Sequence, residues 1–223
     1  MSVVVLTYQA PHRKTYDTLC LLRARGYADF RVIAVPLTYT KRFQPLVQHR
    51  PDMSYRVPKT HGVCDALGYR YIERQSYDGL ALEDPVLVCG AGLLPKDFIN
   101  ENLVINAHPG LIPYARGLDA LKWALYEGLP VGATTHLIGD EVDAGEIIER
   151  REVAVRSDDT VLSLGLRVYA EEIDMLVGAL GKLNEPHEYF PGGEHPVHRR
   201  MPHETELEML KRFEARKAVI LRG

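Results

Sequence analysis

Residues 103–117 read Leu-Val-Ile-Asn-Ala-His-Pro-Gly-Leu-Ile-Pro-Tyr-Ala-Arg-Gly. The first five residues form a nearly continuous apolar run, which is typical of a strand covered on both faces. Prolines and glycines follow at positions 109, 110, 113 and 117, and they predict a bent, tightly defined loop because a helix interior would not tolerate them. This stretch therefore predicts a buried strand that ends in a loop, with polar side chains at the junction.

Short apolar strands alternate with helical segments on either side of this stretch. Strands are predicted over residues 2–6, 31–37, 69–73, 85–89, 132–138 and 146–155, and helices over 14–26, 60–67, 118–127, 160–183 and 203–216. Ser157, Asp158 and Asp159 predict the cap of the helix at 160–183. Because short strands separated by helices favour parallel pairing, the pattern predicts an α/β fold with a mostly parallel, twisted sheet flanked by helices.

Composition and charge exclude several classes of protein. The 223 residues carry 27 Lys and Arg against 30 Asp and Glu, a net charge of −3, so no general electrostatic attraction draws the chain to nucleic acid or anionic lipid. The three cysteines, Cys20, Cys64 and Cys89, are far apart and form no CxxC pair. We therefore expect no disulfide framework and no metal site, and a reducing cytoplasmic location. The N-terminus reads as a buried strand, not a signal peptide, and no apolar stretch reaches the roughly 18 residues of a membrane span.

Three polar residues are candidates for catalysis. Asn106 and His108 are two residues apart at a strand end, so they share a face, and ligands bind at the carboxyl ends of strands in open α/β sheets. The acidic turn at residues 138–145 could bring Asp143 to the imidazole. An amide N–H can stabilise an oxyanion, an imidazole can relay a proton, and a carboxylate can orient the imidazole. With no Ser or Cys nucleophile nearby, this set suits attack on a carbonyl by a nucleophile that the substrate brings.

Each residue also has a structural interpretation at this stage. His108 could be an imidazole bonded to the backbone, and Asp143 could be only a turn residue. Arg116 would be a surface cation by default, and Leu93 and Leu94 would read as ordinary core.

Together, these segments resemble the folate-dependent formyltransferase superfamily. Its pattern is roughly Asn-x-His-Pro-x-Leu-Leu-Pro-x-x-x-Gly, followed by a helix, a Gly-x-Thr-x-His strand and an Asp-x-Gly turn. This sequence offers, in the same order and spacing, Asn106, His108, Pro109, Pro113, Arg116, Gly117, Gly132, Thr134, His136, Asp143 and Gly145. The similarity runs from about residue 86 to residue 180 and implies a Rossmann-like formyltransferase fold.

The resemblance implies transfer of a formyl group from 10-formyl-tetrahydrofolate, as co-substrate, to a primary amine. Asn106 would hold the formyl oxygen, His108 would assist proton transfer, and Asp143 would orient and charge His108. The residues expected to hold the pterin are Gly92, Leu93 and Leu94 on one side and Ile138, Asp140 and Val142 on the other. The residues expected at the amine substrate are Tyr8, His12, Pro109, Gly110 and Arg116.

Departures from the family pattern indicate which acceptor substrate this chain uses. Gly110 stands where Ser is common. The turn at residues 8–12 lacks the Gly-Ser-Asn type of loop that binds phosphate in glycinamide ribonucleotide enzymes, and Pro11 removes a backbone donor there. Methionyl-tRNA enzymes carry an additional C-terminal domain that the short stretch after Asn184 does not supply. These departures favour the nucleotide-sugar N-formyltransferases, whose compact length and Pro/Arg-rich tail are similar.

The expected substrate is therefore a nucleotide-linked amino-deoxy sugar destined for a surface polysaccharide. Residues 1–184 would form the catalytic domain, and residues 185–223 a short C-terminal extension that contributes to a homodimer or to substrate binding. The alternatives are a glycinamide ribonucleotide transformylase, a formyl-tetrahydrofolate hydrolase with water as acceptor, and a non-enzymatic binding module. The basic and aromatic stretch at residues 39–50 could hold a nucleotide pyrophosphate or be a solvated loop.

Overall fold

The structure is a computed structural model that describes residues 2–37, 44–54, 56–139, 141–193 and 195–221. The chain divides into two compact units. The first consists of residues 1–42, 52–106 and 176–185, and the second of residues 43–51, 107–175 and 186–223. The predicted catalytic domain, residues 1–184, contributes to both units, and the predicted extension belongs almost entirely to the second.

The first unit is built on parallel strands. They are β1 (Val3–Tyr8), β2 (Phe30–Val35), β3 (Arg70–Glu73), β4 (Val86–Val88) and β5 (Val104–His108), of which residues 104–106 lie in this unit. Their order is β3-β2-β1-β4-β5, and every neighbouring pair is parallel. The helices are α1 (Arg13–Ala24), α2 (Thr60–Leu67) and α3 (Lys96–Glu101).

Apolar burial explains the central position of β1. Residues Val3–Leu6 are completely buried, as are Val86 and Leu87 of the neighbouring β4, which is the pattern of parallel strands that are covered on both faces. Gly68 ends α2 with a φ of 76°, in the left-handed region that glycine adopts without a Cβ penalty.

The second unit combines antiparallel strands with helices. Its elements are β6 (Arg116–Gly117), α4 (Ala120–Glu127), β7 (Gly132–Leu137), β8 (Gly145–Glu152), α5 (Val161–Gly178, whose last three residues belong to the first unit), β9 (Glu188–Phe190), β10 (Val197–His198) and α6 (His203–Ile220). Strands β7, β8 and β9 pair antiparallel in that order. Strand β10 pairs in parallel with β6.

A hydrophobic core joins the helices of the second unit. Leu121 and Leu125 of α4, Leu164 of α5, and Met209 and Phe213 of α6 are all buried in one cluster. These residues recur at helical spacing, so each helix presents one apolar stripe. The core therefore anchors α6 to the unit that contains His108 and Asp143.

The predicted α/β architecture with mostly parallel strands is confirmed, with differences at the ends of several elements. Helix α5 ends at Gly178 and a 3-10 turn follows at Ala179–Gly181, earlier than the predicted residue 183. Its cap is Thr160, not Ser157–Asp159: Thr160 Oγ1 accepts the N–H of Ser163 at 3.0 Å, and Ser163 Oγ accepts that of Thr160 at 2.9 Å. The short elements α3, β6, β9 and β10 were not predicted. No helix in the described part of the chain is long and apolar enough to cross a membrane.

Candidate active site

His108 and Asp143 meet in the second unit, as the sequence predicts. His108 is the last residue of β5, and Asp143 lies in the turn between β7 and β8. The Nδ1 atom of His108 lies 3.4 Å from Oδ1 of Asp143, and the two side chains are 5% and 12% exposed. The other ring nitrogen, Nε2, lies 2.7 Å from the carbonyl oxygen of Ala115. The imidazole is thus held between a carboxylate and a peptide carbonyl.

Both ring nitrogens of His108 face acceptor oxygens. A neutral imidazole has one N–H donor and one lone pair, whereas an imidazolium donates from both nitrogens. A neutral ring can therefore donate to only one of these two oxygens at a time. The 3.4 Å separation on the Asp143 side is long for a charge-assisted bond, and catalytic contacts are often loose before substrate binds.

The turn that carries Asp143 is fixed by backbone and side-chain bonds. Asp143 has a φ of 49°, in the left-handed region, which Asp adopts more readily than most residues. Its Oδ2 atom accepts the N–H of Gly117 at 2.6 Å. The next carbonyl, that of Ala144, accepts the N–H of Gly139 at 3.0 Å and lies 3.1 Å from Nδ1 of His136. The carboxylate is thereby held towards His108.

His136 takes part in this support as a neutral ring. Its side chain is almost fully buried, and burial lowers the pKa of His136 to about 4, against the opposing effect of the Asp143 charge. Near neutral pH the ring is therefore uncharged, and its Nδ1–H can donate to the carbonyl of Ala144.

The loop after His108 is shaped by Thr134 of β7. Thr134 Oγ1 donates to the carbonyl of Gly110 at 2.8 Å and accepts the N–H of Ile112 at 3.1 Å. Gly110 packs so closely that an added Cβ would lie 2.4 Å from the Ala115 oxygen and 2.7 Å from His108 Nε2. At the position where the family commonly has Ser, this chain therefore needs glycine to leave space for the imidazole.

Asn106 lies on the same strand as His108, two residues earlier. It is half-buried and belongs to the first unit, where it pairs in register with Val88 of β4. Because side chains alternate along a strand, Asn106 and His108 point to the same face of β5. Asn106 thus stands at the carboxyl edge of the parallel strands, where the sequence predicts it.

The residues predicted to hold the pterin lie in two loops, one in each unit. In the loop between β4 and α3, Leu93 is 90% exposed and Leu94 is half-buried, so Leu93 is not the core residue that its apolar character alone suggests. In the turn between β7 and β8, Ile138 is half-buried and Val142 is 44% exposed. Gly92 lies beside Leu93, and Asp140 lies outside the described residues. Each loop presents an apolar side chain to solvent.

Tyr8 and His12, two of the predicted substrate residues, come together in the first unit. Their rings meet edge to face at 5.4 Å between centroids, and Gly90 lies against Tyr8 so closely that a Cβ there would be 2.7 Å from the Tyr8 ring. The N–H of Arg13, at the start of α1, donates to the carbonyl of Met53 at 2.7 Å. One of the amides that could bind an anion at this helix end is therefore already used.

Arg116 is buried, which contradicts its interpretation as a surface cation. Only 1% of the residue is exposed, and its guanidinium donates to the carbonyls of Val142 and His195. It lies 5.2 Å from the ring centroid of Phe190. No signal in its sequence position distinguishes this role, because the partners are distant in the chain.

A cavity beside Pro109 contains an ion pair that the sequence did not predict. Arg50 Nη2 donates to Oε2 of Glu172 at 2.6 Å, and the guanidinium lies 5.7 Å from the centroid of the Tyr169 ring. Glu172 is 1% exposed. Its place on the apolar stripe of α5, four residues after Val168, is the signal that could have indicated a buried carboxylate.

His49 weakens the interpretation of residues 39–50 as a pyrophosphate site. Burial, together with the nearby positive charges of Lys122 and Arg50, lowers the pKa of His49 to about 3. The ring is therefore uncharged at neutral pH, and Arg50 is paired with Glu172. The other residues of that interpretation, Tyr39, Lys41, Arg42 and Phe43, lie outside the described residues.

Residues 73–180 match the formyl transferase family. The matched range is similar to a formyl transferase domain. The matched range contains all three predicted catalytic residues, Asn106, His108 and Asp143. The chain is also 40% identical over 92 residues to the trifunctional purine biosynthetic protein adenosine-3 of Gallus gallus, an alignment that covers 39% of this chain and 9% of that protein. It therefore spans about a tenth of the length of the curated relatives that it matches.

Solved structures share the fold of this chain along most of its length. A 4-N formyltransferase from Francisella tularensis superimposes with a TM-score of 0.62 at 18% identity, covering 95% of this chain and 87% of that one. A sugar N-formyltransferase from a Shewanella species gives 0.60 at 20% identity, covering 96% and 87%. Phosphoribosylglycinamide formyltransferase from Anaplasma phagocytophilum gives 0.57 at 22% identity, covering 81% and 85%. These likenesses establish the fold.

Proposed function

We propose that this chain transfers a formyl group from 10-formyl-tetrahydrofolate to the primary amine of a nucleotide-linked amino-deoxy sugar. The observation that carries the proposal is the imidazole of His108 held between the Asp143 carboxylate and the Ala115 carbonyl, within the range that matches the formyl transferase family. The product would be destined for a surface polysaccharide.

Asn106, His108 and Asp143 would each have a separate role in the transfer. The amine nitrogen attacks the formyl carbon, and negative charge develops on the formyl oxygen. The side-chain N–H of Asn106 donates to that oxygen and stabilises the tetrahedral intermediate. His108 then relays the proton that the amine releases to the donor nitrogen N10, while Asp143 keeps the ring oriented. The bond between N10 and the formyl carbon breaks, and tetrahydrofolate leaves. No covalent bond to the protein forms, since the substrate brings the nucleophile.

The donor would be held by apolar loops. Leu93 and Val142 present exposed apolar side chains, and covering them with a pterin ring removes apolar surface from water, which favours binding. We assign Gly92, Leu93, Leu94, Ile138, Asp140 and Val142 to the donor on this basis.

The sugar acceptor is supported by two observations. The 4-N and sugar N-formyltransferase structures cover 95% and 96% of this chain, against 81% for the phosphoribosylglycinamide enzyme. In addition, Pro11 and the Arg13–Met53 hydrogen bond leave fewer free amides for a ribonucleotide phosphate at the start of α1. Tyr8, His12, Pro109 and Gly110 would contact the acceptor.

A ribonucleotide amine is the second candidate acceptor. The identity of 40% over 92 residues to a purine biosynthetic protein favours it. That alignment covers 39% of the chain, and a glycinamide ribonucleotide transformylase would need another way to bind the phosphate. The third candidate reaction is hydrolysis of 10-formyl-tetrahydrofolate, with water as the acceptor, and an assay must distinguish it from transfer to an amine.

An acceptor screen tests the proposal. The purified chain and 10-formyl-tetrahydrofolate are incubated with nucleotide-linked 3-amino and 4-amino sugars, with glycinamide ribonucleotide or with no amine. The masses of the products are measured by mass spectrometry. We expect a mass gain of one formyl group on an amino sugar, and no gain with His108→Asn. Formylation of glycinamide ribonucleotide alone, or release of formate without an amine, would refute the sugar assignment.

A further inference from the structure

The Arg116 guanidinium lies directly behind the catalytic turn. Its Nη2 and Nε atoms both donate to the carbonyl of Val142, at 2.6 and 3.2 Å, so the fork of the guanidinium holds a single peptide oxygen. Val142 is the residue immediately before Asp143. The buried cation therefore fixes the chain on the N-terminal side of the carboxylate that faces His108.

The same guanidinium connects this turn to the segment between β9 and β10. Its Nη1 atom donates to the carbonyl of His195 at 3.1 Å, between β9 and β10, and the guanidinium lies 5.2 Å from the ring centroid of Phe190 in β9. Strand β10 pairs with β6, which contains Arg116 itself. Burying a guanidinium is costly unless its donors are satisfied. Here the carbonyls of Val142 and His195 and the Oε2 atom of Glu141 accept its hydrogen bonds.

Asp143 has its backbone in the left-handed region, with a φ of 49°. Because residues with a Cβ adopt this region only sparsely, contacts on both sides of Asp143 help to hold the turn. After Asp143, the carbonyl of Ala144 is held by Gly139 and His136. Before it, the carbonyl of Val142 accepts two hydrogen bonds from Arg116. Removal of the guanidinium frees one end of the turn, so the carboxylate can relax away from the imidazole.

We propose that Arg116 is a positioning residue for Asp143, which it holds against His108 through the Val142 carbonyl while β9 and β10 hold Arg116. This inference rests on the proposed catalytic role of Asp143. Because Arg116 is 1% exposed, we assign it an effect on turnover through the carboxylate, in place of the substrate contact expected from the sequence.

A double-mutant cycle tests this role, because a positioning residue loses its effect once the group that it positions is gone. Arg116→Met should lower kcat at least tenfold and change KM for donor and amine less than threefold. In the Asp143→Asn background, Arg116→Met should change kcat less than twofold. Arg167→Met is the matched control: it removes another guanidinium of the second unit, bonded to the Ala154 carbonyl and Asp159, and should not change kcat in either background.

The outcomes separate this inference from the proposed function. If Asp143→Asn alone leaves kcat unchanged, the role of Asp143 is wrong. If Asp143→Asn lowers kcat but Arg116→Met either has no effect or multiplies the loss equally in both backgrounds, Arg116 does not act through Asp143. If the Arg116→Met variant does not fold, Arg116→Lys replaces it in the test. Lysine keeps the buried positive charge but cannot donate to the Val142 carbonyl from two nitrogens as the guanidinium does. Arg116→Lys should show an intermediate loss of kcat and the same dependence on Asp143, and wild-type kcat would overturn the proposal.

Discussion

The peptide N–H of Gly117 donates to Oδ2 of Asp143 at 2.6 Å. The loop that follows His108 therefore returns to support the carboxylate that faces His108. Gly117 allows this return because its φ is 85° and because a Cβ there would lie 2.2 Å from the carbonyl oxygen of His198. The Asn-x-His loop and the acidic turn, separated in sequence, are thus parts of one hydrogen-bonded arrangement.

Removing either partner of the His108–Asp143 pair should cut turnover. We expect His108→Asn and Asp143→Asn each to lower kcat at least about a hundredfold, since general acid–base catalysis is typically worth that much. Steady-state kinetics on folded variants measures this. Glu146→Gln is the matched control, because Glu146 is an exposed carboxylate on β8, and it should retain kcat. Equal rates in all three variants would remove the pair from the mechanism.

A methyl group at position 110 should disturb the imidazole. Gly110→Ala would place a Cβ 2.7 Å from His108 Nε2 and 2.8 Å from the Ala120 Cβ, and overpacking of this kind typically costs about 1–3 kcal/mol. We expect lower thermal stability and a kcat reduced at least tenfold.

Gly62→Ala provides the control for that substitution. Gly62 lies inside α2 with nothing within 4 Å of an added Cβ, so Ala there should stabilise the chain by roughly 0.5–1 kcal/mol and leave kcat unchanged. A Gly110→Ala variant as active and stable as Gly62→Ala would contradict the claim that position 110 needs glycine to leave space for the imidazole.

Stability should fall as the pH drops below neutrality, partly because of His49. Burial lowers the pKa of His49 to about 3 in the folded chain, against 6.5 for the free side chain. Between these values the unfolded chain binds a proton that the folded chain does not, so acid favours unfolding. From pH 7 to pH 5 this residue should cost about 2 kcal/mol. Urea unfolding at both pH values should show a smaller loss for His49→Gln; an identical loss would mean that His49 is protonated when folded.

The sequence predicted the features that depend on local pattern. The apolar runs at β1 and β5, and the short polar spacing from Asn106 to His108, are visible in a single segment. The contacts of Arg116 and Glu172 were missed because their partners, Val142 and Arg50, are far away in the chain. Gly110 looked like an ordinary loop glycine, since only the folded loop shows the imidazole packed against it.

Breaking the buried ion pair of the second unit should be costly. Lys122 and Glu206 are both fully buried and bonded to each other, and Glu206 also accepts the N–H of Leu46 at 2.7 Å. Lys122→Met leaves an unpaired buried carboxylate, which typically costs about 3–5 kcal/mol. Denaturant unfolding should show this loss, and Lys122→Met/Glu206→Gln should recover most of it because the amide is neutral. No recovery in the double variant would mean that lost packing, not charge, is responsible.

Leu93 should contribute to folate binding without contributing to stability. Because it is 90% exposed, Leu93→Asp should leave the melting temperature of the free chain unchanged. A saturating folate should raise the melting temperature of the wild type by linkage, and Leu93→Asp should reduce that shift. Leu207→Asp, on the exposed side of α6, should keep the full shift. Equal shifts in both variants would exclude Leu93 from the donor site.

The central claim is that the His108–Asp143 pair drives formyl transfer to an amine. Its most direct test is a single-turnover experiment with 10-formyl-tetrahydrofolate labelled in the formyl carbon, followed with and without the amino-sugar acceptor. We predict that wild type moves the label to the amine, that label remains on the donor when the amine is omitted, and that Asp143→Asn slows transfer at least about a hundredfold. Label released as formate without an amine, or transferred equally fast by Asp143→Asn, would contradict the account.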